Sequence, residues 1–112
     1  GFMYHIAELE TAVRYNIPVV SVVNNNHGLL QDKRGDDRAY QAVPGSHSSD
    51  LWEFNDVDMS KVAEAMGAFG IRVDQPQDIQ NAIEEALASG RPAVVDVVTD
   101  PLDSEAPIPW SP

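Results

Sequence analysis

Residues Ile17-Pro18-Val19-Val20-Ser21-Val22-Val23 are apolar at almost every position and run without a break into Asn24-Asn25-Asn26-His27-Gly28. So short and apolar a run is the pattern of a strand buried on both faces of a parallel sheet, not of an edge hairpin. The three amides at its carboxyl end are less easily explained by folding. Asparagine is a poor strand residue, but it offers a neutral carbonyl oxygen and an NH2 donor, groups that hold a hard cation and the phosphates it carries. In open parallel sheets ligands bind in the crevice at the carboxyl ends of the strands. On the residues alone turn chemistry is the better reading, since asparagine tolerates left-handed backbone and caps the following segment.

The rest of the chain supplies the elements such a strand needs. Ile6, Leu9, Ala12 and Val13 fall on one face of a helix between about His5 and Tyr15, with Glu8, Glu10 and Arg14 facing outward. Residues 31 to 56 carry no sustained period and are rich in Asp, Gly, Ser and Arg, so a surface excursion with one helical turn is expected there. Asp58 caps a helix lined by Val62, Ala63 and Met66 and ended by Gly67. Gly70-Ile71-Arg72-Val73 is a short strand. Ile79, Ala82, Ile83, Ala86 and Leu87 mark the clearest helix, closed by Gly90, and Pro92-Ala93-Val94-Val95-Asp96-Val97-Val98 is a second apolar strand. The order helix, strand, loop, helix, strand, helix, strand predicts an α/β fold with right-handed crossovers. Residues 101–112, with four prolines, read as an extended tail.

A chain of 112 residues is the size of one small domain. With 18 acidic and 7 basic side chains and a formal charge of -11, its field repels nucleic acid and anionic membranes. Holding a diphosphate on such a chain calls for a local remedy, and a divalent metal is the obvious one. The lack of cysteine excludes a disulfide framework, a thiolate metal site and a cysteine nucleophile, and fits a cytoplasmic protein. No apolar run approaches the roughly 20 residues that span a bilayer, and no basic segment precedes an apolar one as in a signal peptide. The opening Gly1-Phe2-Met3 reads as an internal piece of a longer polypeptide.

From Gly1 to about Asp100 the chain resembles the carboxyl-terminal, diphosphate-binding domain of thiamine-diphosphate-dependent enzymes of the acetolactate synthase and pyruvate oxidase group. That family carries a Gly-Asp-Gly triplet and, some two dozen residues later, a pair of asparagines. Here GFMYHIAELETAV is similar to the helix after the triplet, and VVSVVNNNHGLL to the strand with the pair. EFNDVDMSKVAEAMG and GRPAVVDVVTDP resemble the later helix and last strand. The triplet itself is absent, so its aspartate, a metal ligand in the family, belongs upstream or is lost. Three asparagines stand where the family has two.

The resemblance implies a partial domain of a three-layer sandwich with a mostly parallel sheet, at residues 1–100. It implies thiamine diphosphate and Mg2+ as cofactors, with the metal bridging protein oxygens and the two phosphates. With the pair at Asn25-Asn26, the Asn26 amide oxygen and the Gly28 carbonyl would coordinate the metal, and backbone N–H groups of Leu29 and Gly1 would face the diphosphate. The second register uses Asn25 with His27. The family's activating glutamate lies on another domain, so no catalytic acid or base is assigned. The implied partners are a 2-keto acid substrate and a pyrimidine-binding domain of the same or a neighbouring subunit, in a homodimer or homotetramer.

Other residues carry weaker signals. His27 reads as a solvated loop side chain outside that resemblance, and His5 and His47 have no evident partner. The run Asp32 to Arg38 reads as a solvated loop with local ion pairs, the alternative being a substrate or partner lid. Trp52 and Phe54 read as packing anchors or interface residues, and Trp110 as a residue docking on another subunit. Two further function classes remain open: a non-catalytic α/β assembly module that has lost cofactor binding, and a flavodoxin-like domain whose asparagines hold another phosphate ligand.

Overall fold

The computed structural model describes residues 1–40 and 49–101. His47, Trp110 and the expected extended tail beyond Pro101 lie outside the described residues. The chain divides into two compact units. The first comprises Gly1–Asn25 and Val57–Val98; the described part of the second comprises residues 26–40, 49–56 and 99–101.

The first unit is an α/β/α sandwich. A 3-10 turn at Phe2–His5 leads into α1 (Ile6–Arg14), which buries Leu9 and Ala12 as its period requires. Strand β1 (Val20–Asn25), α4 (Met59–Ala65), β2 (Phe69–Val73), α5 (Ile79–Ala88) and β3 (Ala93–Val98) complete it, giving a parallel sheet in the order β1-β3-β2. On one face Leu9, Met59, Ala63 and Ala68 pack with Val23 and Val94. On the other, Ala82 and Ala86 of α5 pack with Val73, Ala93 and Val95. Helix α4 closes onto β2 because residue 70 is glycine: a Cβ there would collide with the Ser60 carbonyl oxygen.

Two sequence expectations about this unit are corrected. The strand buried on both faces is β3, whose Ala93, Val94, Val95 and Asp96 are each 0 % exposed. β1 instead occupies an edge of the described sheet, beginning at Val20 rather than Ile17, with Val22 51 % exposed. Its apolar composition resembles that of β3, but among the described residues it has a neighbouring strand on one side only. Likewise Leu87, on the expected apolar stripe of α5, is 63 % exposed.

The second unit overturns the expectation of a long excursion. Residues Leu30–Tyr40 form a helix, α2, and Ser49–Trp52 form a short one, α3. The run Asp32 to Arg38 is therefore helical, not a loop. Its mixture of charges around Gly35 carries no apolar stripe for a periodicity argument to detect.

Candidate functional site

The three asparagines do not share one environment. Asn24 and Asn25 are the last residues of β1, paired with Val97 and Val98 of β3, and strand alternation sends them to opposite faces. Asn24 is exposed, whereas Asn25 is 7 % exposed on the same face as Val23. The Asn25 Nδ2 group donates to the Val57 carbonyl at 3.0 Å. Two residues on, the Met59 N–H donates to Asp96 Oδ2 at 2.9 Å. Segment 57–59 is thus tied by side chains to both β1 and β3, and Arg72 Nη1, 3.4 Å from Asp96 Oδ2, partly balances the buried carboxyl.

Between these ties Asp58 caps α4. Burial alone would push its carboxyl up. Hydrogen bonds from Ser60 Oγ at 2.5 Å and the Lys61 N–H at 3.1 Å, with the Lys61 ammonium at 3.2 Å, outweigh burial and hold it down at about 2.

Asn26 opens the second unit, where the loop Asn26 to Leu29 is held by the segment after α3. The His27 carbonyl accepts from the Phe54 N–H at 2.6 Å, and the Leu29 N–H donates to the Trp52 carbonyl at 2.7 Å. These bonds flank an antiparallel bridge between Gly28 and Glu53. In such a pair the flanking residues make the cross-chain bonds, and the central residue's own N–H and C=O project to the other side. The Gly28 N–H accordingly donates to Asn26 Oδ1 at 3.3 Å, which turns the Asn26 amide oxygen to the side where the Gly28 carbonyl also lies. His27 takes a left-handed φ of 55° between them, and its Nδ1 lies 3.5 Å from Asp56 Oδ1. The His27 side chain is 22 % exposed, against the expectation of a solvated side chain.

Of the residues expected at the site, Asn26, His27, Gly28 and Leu29 are brought into this loop. Gly1 lies in the first unit before the opening 3-10 turn, where its carbonyl accepts from the Tyr4 N–H at 3.1 Å. Asn25 is engaged in the first unit as described. The Leu29 N–H, expected to face a diphosphate, is engaged by Trp52. Of the second register, the Asn25 Nδ2 group donates to the Val57 carbonyl and the His27 carbonyl accepts from the Phe54 N–H.

Among the described residues, no group of three or more His, Cys, Asp or Glu side chains converges as a metal site. Any metal held by this loop would meet an amide and a carbonyl, neutral hard oxygens of the kind Mg2+ accepts, with carboxylate and phosphate oxygens completing its shell. The Asn26 Oδ1 and Gly28 oxygens fit that chemistry. Sequence reasoning missed the part played by Trp52 and Phe54 backbone and the anchoring role of Asp96. For Asp96 the signal was visible, an acid within the apolar run Ala93 to Val98. For Trp52 the only hint was a glycine at position 28.

A parallel α/β sheet that delivers amides to the carboxyl end of a strand defines a ligand-binding α/β domain. Residues 1–97 match the family described as thiamine pyrophosphate enzyme, C-terminal TPP binding domain, and the chain belongs to that family. Its relatives include a 2-hydroxyacyl-CoA lyase of Arabidopsis thaliana, 38 % identical over 105 residues, which cover 91 % of this chain and 18 % of the relative. An acetolactate synthase of Bacillus subtilis is 32 % identical over 104 residues, 93 % of this chain and 17 % of that protein. An acetolactate synthase large subunit of Haemophilus influenzae is 34 % identical over 106 residues, covering 93 % of this chain and 18 % of its own. The chain thus spans less than a fifth of the length of these relatives. None of its described helices is long and apolar enough to cross a membrane.

Proposed function

We propose that this chain is the portion of a larger thiamine-diphosphate-dependent enzyme that holds Mg2+ and the cofactor's diphosphate, with Asn26 Oδ1 and the Gly28 carbonyl as the metal ligands contributed here. One observation carries this reading: the Gly28–Glu53 bridge commits the His27 carbonyl and Leu29 N–H to one side, while Gly28 N–H holds Asn26 Oδ1 on the other. Both ligand oxygens are neutral, so they bind the cation without adding to a chain already at -11. The metal offsets the repulsion between that charge and a diphosphate. A carboxylate from upstream of Gly1, as the family resemblance implies, completes the protein's share. When bound, the cofactor supplies the nucleophilic carbon and the electron sink for chemistry beside a carbonyl. Asn26 and Gly28 hold the diphosphate end; the aminopyrimidine end falls to a pyrimidine-binding domain of the same or a neighbouring subunit, in a homodimer or homotetramer.

For the reaction, the acetolactate synthases among the relatives support decarboxylation of a 2-keto acid and transfer of the remaining unit. The 2-hydroxyacyl-CoA lyase supports a second reading, carbon–carbon cleavage of a 2-hydroxyacyl-CoA. Assays of the complete enzyme on a panel of 2-keto acids and on 2-hydroxyacyl-CoA separate the two. The site itself is tested by calorimetric titration of the complete enzyme with thiamine diphosphate and Mg2+, beside Asn26→Ala. Loss of a metal ligand lowers affinity by at least about tenfold. Unchanged affinity sinks the assignment and leaves the non-catalytic assembly module as the better reading.

A further inference from the structure

We propose that Trp52 is a positioning residue for the Gly28 carbonyl, an inference that rests on the metal-site reading above. Three contacts converge on it. Its carbonyl takes the Leu29 N–H at 2.7 Å. Its main chain and ring occupy the space a side chain at position 28 would need: a Cβ there would lie 2.5 Å from the Trp52 carbonyl oxygen and 3.1 Å from Cε3. The residue is 8 % exposed, with the Lys33 ammonium of α2 at 5.2 Å from the ring centroid.

The indole is kept there at a cost. Trp52 Nε1 is buried with no hydrogen-bond partner among the described residues. A buried unsatisfied donor is unfavourable, so what the position uses is the ring's bulk against Gly28, not its N–H. The Glu53 N–H donates to the Ser49 carbonyl at 2.8 Å, which fixes the end of α3 from which the bridge departs. The bare face of Gly28 thus meets both the main chain and the ring of Trp52, and the direction of the Gly28 carbonyl follows from that contact. Trp52 acts through Gly28 and is not itself a ligand of the metal or the cofactor.

The test uses the complete enzyme and two readouts that do not depend on turnover. One is hydrogen exchange at the Leu29 and Phe54 amides of the apo enzyme. The other is Mn2+ binding, measured by electron paramagnetic resonance at saturating thiamine diphosphate. Trp52→Ala is expected to speed exchange at both amides and to weaken Mn2+ binding by about tenfold or more, as changes behind a metal ligand commonly do. Trp52→Phe, which keeps the bulk and removes the unsatisfied N–H, is expected to keep wild-type exchange and affinity. Where Trp52→Ala fails to fold, Trp52→Leu is read by the same criteria. Unchanged Mn2+ affinity in the Trp52 variant, with Asn26→Ala still weakened, overturns the positioning role and leaves the metal site standing. Unchanged affinity in Asn26→Ala overturns the metal site itself.

Discussion

Asn25 and Asn26 are adjacent, yet one belongs to the fold and the other to the proposed site. Removing the buried Asn25 amide leaves the Val57 carbonyl short of its donor, so Asn25→Ala is expected to cost about 1–3 kcal/mol in denaturant unfolding. Asp58 makes a pH-dependent contribution. Its folded-state value of about 2 lies below the ordinary 3.8, so its stabilisation is fully present above about pH 4 and fades as pH falls through about 2. With a side chain 22 % exposed, that contribution is about 1–2 kcal/mol. Unfolding free energies of wild type and Asp58→Asn should accordingly converge between pH 4 and 2; a gap that is constant over that range contradicts the assignment. The sequence made these residues visible with uneven clarity. The Asp58 cap followed from its place before an apolar period, whereas nothing in a run of three identical amides says which one faces inward. That depends on where β1 ends, and β1 ends two residues later than its apolar stretch.

At the scale of elements, helices and strands with a clear period were legible: α1, α4, β2 and β3 fall within a few residues of where their patterns put them. α2 was not, because it has no apolar stripe and carries a glycine in mid-helix. Gly35 has open space around its missing Cβ, so Gly35→Ala is expected to raise stability by about 0.5–1 kcal/mol, measured as an increase in melting temperature. Gly70→Ala, in contrast, sets a methyl group against the Ser60 main chain and is expected to cost about 1–3 kcal/mol or to prevent folding. The opposite signs of these two substitutions separate a glycine that packing requires from one it does not. The edge position of β1 was also illegible, since composition reports how apolar a strand is and not how many neighbours it has.

For the whole molecule, this chain contributes half of the proposed site. Its loop offers two neutral oxygens, and in the proposed enzyme the carboxylate and the groups that hold the cofactor's other end come from elsewhere. The isolated 112 residues are therefore expected to bind thiamine diphosphate and Mg2+ weakly or not at all in calorimetric titration, and tight stoichiometric binding would show the division of the site to be wrong. The most direct measurement of the central claim is anomalous diffraction from crystals of the complete enzyme loaded with thiamine diphosphate and Mn2+ in place of Mg2+. An anomalous peak is expected within coordination distance of both Asn26 Oδ1 and the Gly28 carbonyl oxygen. A peak coordinated instead by Asn25 or His27, or one that touches no residue of the Asn26 to Leu29 loop, would contradict it.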